Sequence, residues 1–353
     1  MTKSSQQHKP LNLALQGGGA HGAFGWGILD YLLEDGRLTF EGLTATSAGA
    51  VNAAIMAQGL TTGDNDTARQ ALHDVWHDIA KAGTLYAPVK NNPFDMAGAM
   101  SSFMPDWGMG ESVANMMSQW GRTLSPYQFN PLNMNPLRDV LEQRLDFDSI
   151  HACECLKLFI SATNVRTGTA RVFENKEITL DVLLASTTLP TVFQAVDIDG
   201  DPYWDGGYMG NPSLWPLFYK TDCRDILILH INPVIRDGTP KEPHEIENRL
   251  NEITFNASLL KELRAIDFVQ KLIKDDMLKD EYKEQYTDIN LHAIRSDDVL
   301  GDLSVTSKFD TDWTFLTRLR DLGRDQAKLW LESEYKHIGK RSSVDIKADY
   351  LNF

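Results

Sequence analysis

Cysteine is scarce: Cys153, Cys155 and Cys223 are the three in the chain. That is too few for a disulfide framework or a four-ligand zinc site, so a reduced, cytoplasmic setting is expected. Long apolar runs are missing too. No stretch approaches the ~20 residues that span a bilayer. The N-terminal MTKSSQQHKP is polar, and the apolar stretch behind it is broken by Gly17, Gly18, Gly19, His21 and Gly22. A signal peptide needs an uninterrupted apolar core, so any membrane contact is expected to be peripheral, through a local apolar patch. Basic residues are outnumbered, 34 Lys and Arg against 49 Asp and Glu, for a net charge of −15. That balance argues against a nucleic-acid partner, whose phosphates need a basic face. What is present is ordinary globular material, 42% hydrophobic and 24% charged over 353 residues, which suits one large domain or two smaller ones.

The first sixty residues alternate between two periods. Leu11 to Gln16 is a short apolar run stopping at a glycine cluster, the pattern of a buried strand entering a tight loop. From Ala23 to Leu33 the apolar residues Phe24, Ile28, Leu29, Leu32 and Leu33 recur at helical spacing, with Gly36 as a stop. A second strand, Leu43 to Thr46, runs into Ser47-Ala48-Gly49, and Val51 to Leu60 is helical. Strand, loop, helix, strand, turn, helix predicts an α/β fold with a parallel sheet. Further strands are predicted at Leu156–Asn164, Ala170–Phe173, Val196–Ile198 and Ile226–Ile231. After Pro233 the chain is charge-dense, with amphipathic helical faces over Leu259–Ile273 and Phe315–Leu331. Residues 83–136 stand apart, holding seven of the eleven methionines with Trp107, Trp120 and several Phe and Tyr. They read either as an insertion packed on the core or as a lid over an apolar site, and the two are compatible.

Gly17-Gly18-Gly19-Ala20-His21-Gly22 fits G-x-G-x-x-G between a strand and a helix. In a dinucleotide site an acidic residue ends the next strand; here Ala45, Thr46 and Ser47 stand there. The same loop geometry lets backbone N–H groups face the oxyanion of an acyl-transfer intermediate, and a purely structural turn also fits. Ala45-Thr46-Ser47-Ala48-Gly49 matches a nucleophile elbow, which needs small residues two before and two after the serine. Gly49 meets the second requirement, and Ala45 is the next-smallest choice for the first.

A serine nucleophile needs a base. The downstream histidines His151, His230, His244, His292 and His337 are candidates for a Ser-His-Asp arrangement, none in a recognisable catalytic context. His73 and His77 have metal-pair spacing but sit among Asp74 and Asp78 on a polar helix, which reads as a solvated face. Asp205-Gly206-Gly207 follows an apparent hairpin (VDIDGDPYW), placing a carboxylate rigidly behind Tyr203 and Trp204. Its alternative reading is plain turn chemistry. The acids Asp197, Asp199 and Asp201 do not make an EF-hand, because Pro202 and Tyr208 occupy its glycine and glutamate positions.

The glycine loop Gly17–Gly22, Ser47 in A-T-S-A-G and Asp205 in D-G-G together resemble the patatin-like phospholipases. Ala185-Ser186-Thr187-Thr188-Leu189-Pro190 and Asn211-Pro212 add to the likeness, which covers about residues 10–235. The resemblance implies a three-layer α/β/α sandwich with a mainly parallel sheet, with residues 236–353 as a helical C-terminal extension. It implies ester hydrolysis on phospholipids or lysophospholipids by a Ser47–Asp205 dyad. Gly17, Gly18, Gly19 and Gly22 would form the oxyanion loop, Ala45 and Gly49 would support the elbow, and neither cofactor nor metal is needed. A general carboxylesterase on short soluble esters and a lipid- or nucleotide-binding module on the same scaffold are the alternatives. Two positions depart from the family pattern: Ala45 stands for the usual first glycine of the elbow, and His21 for the usual Arg or Lys of the loop.

Overall fold

The computed structural model describes residues 8–85, 124–236, 238–283, 286, 288–303 and 305–351. Of the methionine-rich segment 83–136, residues 86–123 lie outside the described residues.

Strand β1 (Lys9–Leu15) shows why the fold is layered. Leu11, Leu13 and Leu15 face one apolar cluster and Ala14 faces another, and all four are buried. In β7 (Asp225–His230), Leu227 and Leu229 join the first cluster while Ile226 and Ile228 join the second. Period-two alternation with apolar residues on both faces demands a cover on each side. Helices α1 (Gly22–Asp35), α2 (Ala48–Thr62) and α3 (Asn65–Leu85) supply the first cover. Helices α4 (Pro136–Arg144) and α5 (Leu180–Thr187) pack on the same side. Helix α6 (Trp215–Lys220) covers the second face with α7 (Pro243–Lys274), through Leu217, Leu259 and Leu263. Helix α8 (Trp313–Glu334) returns to the first face with Leu316, Leu319 and Leu331. The result is the expected three-layer α/β/α sandwich.

Among the described residues the sheet has eight strands, in the order β5 (Val196–Ile198), β6 (Asp201–Asp205), β3 (Lys157–Asn164), β2 (Leu38–Thr46), β1, β7 and β8 (Asn290–Arg295), with β4 (Thr169–Glu174) also on β3. Five neighbours, β3, β2, β1, β7 and β8, run parallel. The short strands β5 and β6 form the predicted hairpin, and β6 lies antiparallel to β3. The C-terminal region is mainly helical, and it also contributes β8, so the sheet continues past residue 235. The residue pattern alone does not predict that strand.

Register brings two strand ends together. Strand β4 occupies one side of β3 over Phe159–Asn164. Both β2 and β6 must therefore use the other side, and they divide it: Thr46 pairs with Ser161, and Asp205 pairs with the next residue, Ala162. The carboxyl ends of β2 and β6 thus meet head to head along β3, where both chains leave the sheet. The chain also reverses its direction of travel across the sheet at β1, between β2 and β7. The loop after β1 therefore sits at the switch point, where open α/β sheets bind ligands.

Candidate active site

Ser47 is the first residue beyond β2 and the N-cap of α2, with φ 55° and ψ −128°. A left-handed backbone at a residue with a Cβ is strained, and the surroundings hold it. Its N–H donates to the Ser186 Oγ at 2.9 Å, and that hydroxyl in turn donates to the Ser161 carbonyl at 2.7 Å. Two residues on, the Thr188 carbonyl accepts the N–H of Asp205 at 2.8 Å. The end of α5 therefore ties the backbones of Ser47 and Asp205 to one another. Replacing Ser186 by alanine leaves the Ser47 N–H without its acceptor. A loss of ~1–3 kcal/mol in stability is expected from a buried unpaired donor, read by urea unfolding, with a fall in turnover as the elbow loosens.

Asp205 is 1% exposed. Its Oδ1 accepts the Gly207 N–H at 2.7 Å, and the Ser47 hydroxyl lies beside its carboxylate. Burial pushes its carboxyl up to about 7, against the opposing pull of the Gly207 N–H, the Ser47 hydroxyl and the Lys308 ammonium. A carboxylate so poised accepts a proton more readily than a free one. Tyr208, beside it, is pushed up to about 12 by burial and by the Asp205 charge.

The glycine loop faces this pair. A Cβ on Gly17 would lie 2.4 Å from the Cβ of Ser47, so only glycine lets the loop pass the elbow so closely. The Gly17 N–H is engaged by the Asn211 Oδ1 at 2.7 Å, and that of Gly22 by the carbonyls of Gly19 and Ala20. Those two glycines, expected among the oxyanion donors, instead shape the loop. The N–H groups of Gly18 and Gly19 have no acceptor among the described residues, and both residues line the cavity at Ser47. Ala45 sits wholly buried in the first apolar cluster, where its methyl group is accommodated. Gly49 packs onto the carbonyls of Leu15 and Gln16.

Behind the loop lies a polar network that sequence reasoning did not find. The Gln16 Oε1 accepts the N–H groups of Ile231 and Asn232 at 2.8 and 2.9 Å, and its Nε2 donates to the Asn211 carbonyl and to the Asn256 Oδ1. The Asn232 Nδ2 donates to the Gly17 carbonyl at 2.8 Å. Four buried amides thus fix the loop between β1, β7, α6 and α7. The hint available in the sequence was a glutamine closing an apolar strand.

The histidines lie elsewhere. None of those whose side chains are described lines the cavity. His230 is in the core against the Tyr350 ring, and His151 bonds the Ile178 carbonyl. His244 belongs to α7, and His337 follows α8 beside Arg341. His292 does complete a Ser-His-Asp set, its Nε2 3.0 Å from Asp225 and its Nδ1 2.9 Å from the Ser343 Oγ. That set sits at the amino end of β7, the end of the sheet opposite Ser47, and His292 is fully buried. It fastens the C-terminal residues to β8. His73 and His77 pack on the Trp313 ring, half-exposed as expected.

The cavity that gathers Ser47, Asp205, Gly18 and Gly19 has a volume of about 400 Å³. Val51, Trp76, Ile79, Leu137, Val140, Leu189 and Phe255 make its walls largely apolar. A serine, a buried carboxylate and two unengaged N–H groups at the mouth of an apolar space suit acyl transfer to water. The sequence profile described as Patatin-like phospholipase matches residues 13–218. The chain belongs to the patatin-like phospholipase family. Membership supports lipid acyl hydrolysis in general terms. Among solved structures, VipD from Legionella pneumophila is similar over 98% of this chain and 73% of its own, at 14% identity and a TM-score of 0.42. The type III effector protein ExoU is similar over 94% of this chain and 56% of its own, at 15% identity and a TM-score of 0.34. ExoU in complex with SpcU from Pseudomonas aeruginosa is similar over 91% and 53%, at 13% identity and a TM-score of 0.29. A search among curated proteins finds no match. The family match ends before Lys308 and Phe309, which also line the cavity.

Proposed function

We propose that this protein is a serine acyl hydrolase that cleaves carboxylic esters of lipids through Ser47 and Asp205. The observation that carries the reading is a serine on a left-handed elbow, set beside a buried aspartate, at an apolar cavity. Asp205 takes the hydroxyl proton as the Ser47 Oγ attacks the ester carbonyl carbon. The carbonyl π electrons move to oxygen, facing the Gly18 and Gly19 N–H groups. Collapse expels the alkoxide, which leaves with the proton from Asp205, and an acyl-serine remains. Water then attacks that ester while Asp205 takes its proton. A second collapse returns the proton to the Ser47 Oγ and frees the acid.

The apolar walls indicate the substrate class. A cavity of about 400 Å³ lies within the ~300–1,000 Å³ usual for small-ligand sites. Each methylene buried there contributes ~0.8 kcal/mol, or about fourfold. Across a p-nitrophenyl ester series, kcat/KM is therefore expected to climb about fourfold per methylene until the cavity is filled. A flat series, or one that peaks at acetate, contradicts the lipid assignment and favours a short-chain esterase. The mouth supports peripheral contact with a lipid surface: Leu132 and Met134 are exposed close to Asn135, Pro136 and Leu137, which line the cavity. Among the described residues no helix is long and apolar enough to cross a membrane.

A further inference from the structure

We infer that Lys308, from outside the segment matched by the family, supplies the positive charge of the glycine loop. The inference rests on the Ser47–Asp205 reading. At the loop position where the family pattern carries Arg or Lys, this chain has His21, which is buried, lies 2.7 Å from the Ser307 Oγ through its Nε2, and is pushed down to about 3 by burial and by the Lys308 and Arg236 charges. It stays neutral and brings no charge.

Lys308 lies in the short 3₁₀ turn Val305–Phe309, which packs directly on the loop. Gly19 has φ 59°, and a Cβ there would fall 2.4 Å from the Lys308 carbonyl. The Lys308 side chain lines the same cavity as Ser47 and Asp205, with its Nζ 5.5 Å from the Phe255 ring centroid. Two of its three N–H bonds go to the neutral side-chain oxygens of Asn232 and Asn251, each at 2.8 Å.

Glu252 and Asp205 are the nearest opposite charges, and neither is ion-paired with it. The neighbouring carboxylate on α7, Glu252, is taken by Arg236 and by Arg249. The remaining charged and titratable groups that face Lys308 are Asp205, Glu247 on the cavity wall, His21, Tyr208 and Arg236. Among the described residues no carboxylate forms an ion pair with it. An ammonium held by neutral amides in an apolar cavity projects its field onto Asp205 and onto the carbonyl oxygen beside Gly18 and Gly19. It favours ionised Asp205 before attack and the oxyanion after it. Burial lowers Lys308 to about 8, so this charge is lost as pH rises through that value.

The test compares wild type, Lys308→Met, Lys308→Arg and Asn251→Asp on a p-nitrophenyl ester over pH 5–10, with melting temperatures recorded. Wild type is expected to show an acid limb near 7 and a basic limb near 8 in kcat/KM. Lys308→Met is expected to lose about 100-fold in kcat with little change in KM, its acid limb displaced to higher pH. Lys308→Arg keeps its charge, so activity is retained within about tenfold and the basic limb disappears, which a merely structural lysine would not produce. Asn251→Asp gives the ammonium a carboxylate partner while keeping the lysine, and is expected to lower kcat about tenfold. It carries the test should Lys308→Met not fold. Wild-type kcat in Lys308→Met, an unchanged basic limb in Lys308→Arg, or wild-type kcat in Asn251→Asp overturns the inference and leaves the dyad standing. A wild type that hydrolyses no ester and takes no fluorophosphonate at Ser47 overturns both.

Discussion

Ser47→Ala and Asp205→Asn are each expected to reduce ester turnover by a factor of at least ~1,000, with KM nearly unchanged and the fold intact. The size reflects how the two groups act together. In the proposed mechanism, without the Oγ there is no acyl-serine, and without the carboxylate nothing accepts the proton as the C–O bond forms. Residues that operate as a unit lose about as much singly as jointly, so the double variant should fall little below either single one. Circular dichroism and melting curves check the fold; kcat over a substrate series checks the split. Losses that appear in KM instead would make Ser47 and Asp205 binding groups. The residual rate of Ser47→Ala should stay above the uncatalysed one, because the Gly18 and Gly19 N–H groups survive and continue to polarise a bound ester.

The second large effect is on stability, and its sign is opposite. Asp205→Asn is expected to stabilise the protein at pH 8 while abolishing its activity. Burial raises the Asp205 carboxyl from 3.8 to about 7 in the folded state. Between those values the folded protein holds a proton that the unfolded chain has released, so wild-type stability falls as pH rises through this window. Asparagine has no charge to bury and keeps an oxygen for the Gly207 N–H. At 1.36 kcal/mol per pKa unit, the gain at pH 8 is on the order of 2–4 kcal/mol, vanishing toward pH 4. Urea unfolding of both proteins at pH 4, 6 and 8 reads it. A variant less stable than wild type at all three would mean that the carboxylate is paired, not desolvated. The same titration is expected to set the acid limb of activity near pH 7.

Much of this arrangement is legible in the residues. The glycine run after Gln16, the serine at the close of an apolar strand, and D-G-G after a hairpin each carry a local physical signature, namely close approach, a strained turn and a rigid carboxylate. Their relation is harder to see. That Thr46 and Asp205 address consecutive residues of β3 is a matter of register, which depends on β4 taking the other side of that strand. Ser186 belongs to the family resemblance, but its function as the acceptor for the Ser47 N–H needs α5 in place. Gly17 and Gly22 look like oxyanion donors from the family resemblance; the side chain of Asn211 and the carbonyls of the loop occupy their N–H groups. Strand β8 escapes notice because Asn290–Arg295 (NLHAIR) is short and alternates imperfectly, and its pairing with β7 supplies what propensity does not. Lys308 is invisible because nothing in a charge-dense tail distinguishes one lysine until the fold lays it on Gly19. The departures at Ala45 and His21 turn out differently from one another: the first is absorbed by the core, while the second leaves a neutral ring where the family pattern has a cation.

Activation of Ser47 by Asp205 is tested most directly with an alkyl fluorophosphonate, because the serine oxygen displaces fluoride and the adduct persists. Intact-mass spectrometry with peptide mapping should find one adduct on wild type, on Ser47, and none on Ser47→Ala. With Asp205→Asn the labelling rate should drop by at least ~100-fold. An adduct on another residue, or an Asp205→Asn protein that labels as fast as wild type, would contradict the assignment of nucleophile and base.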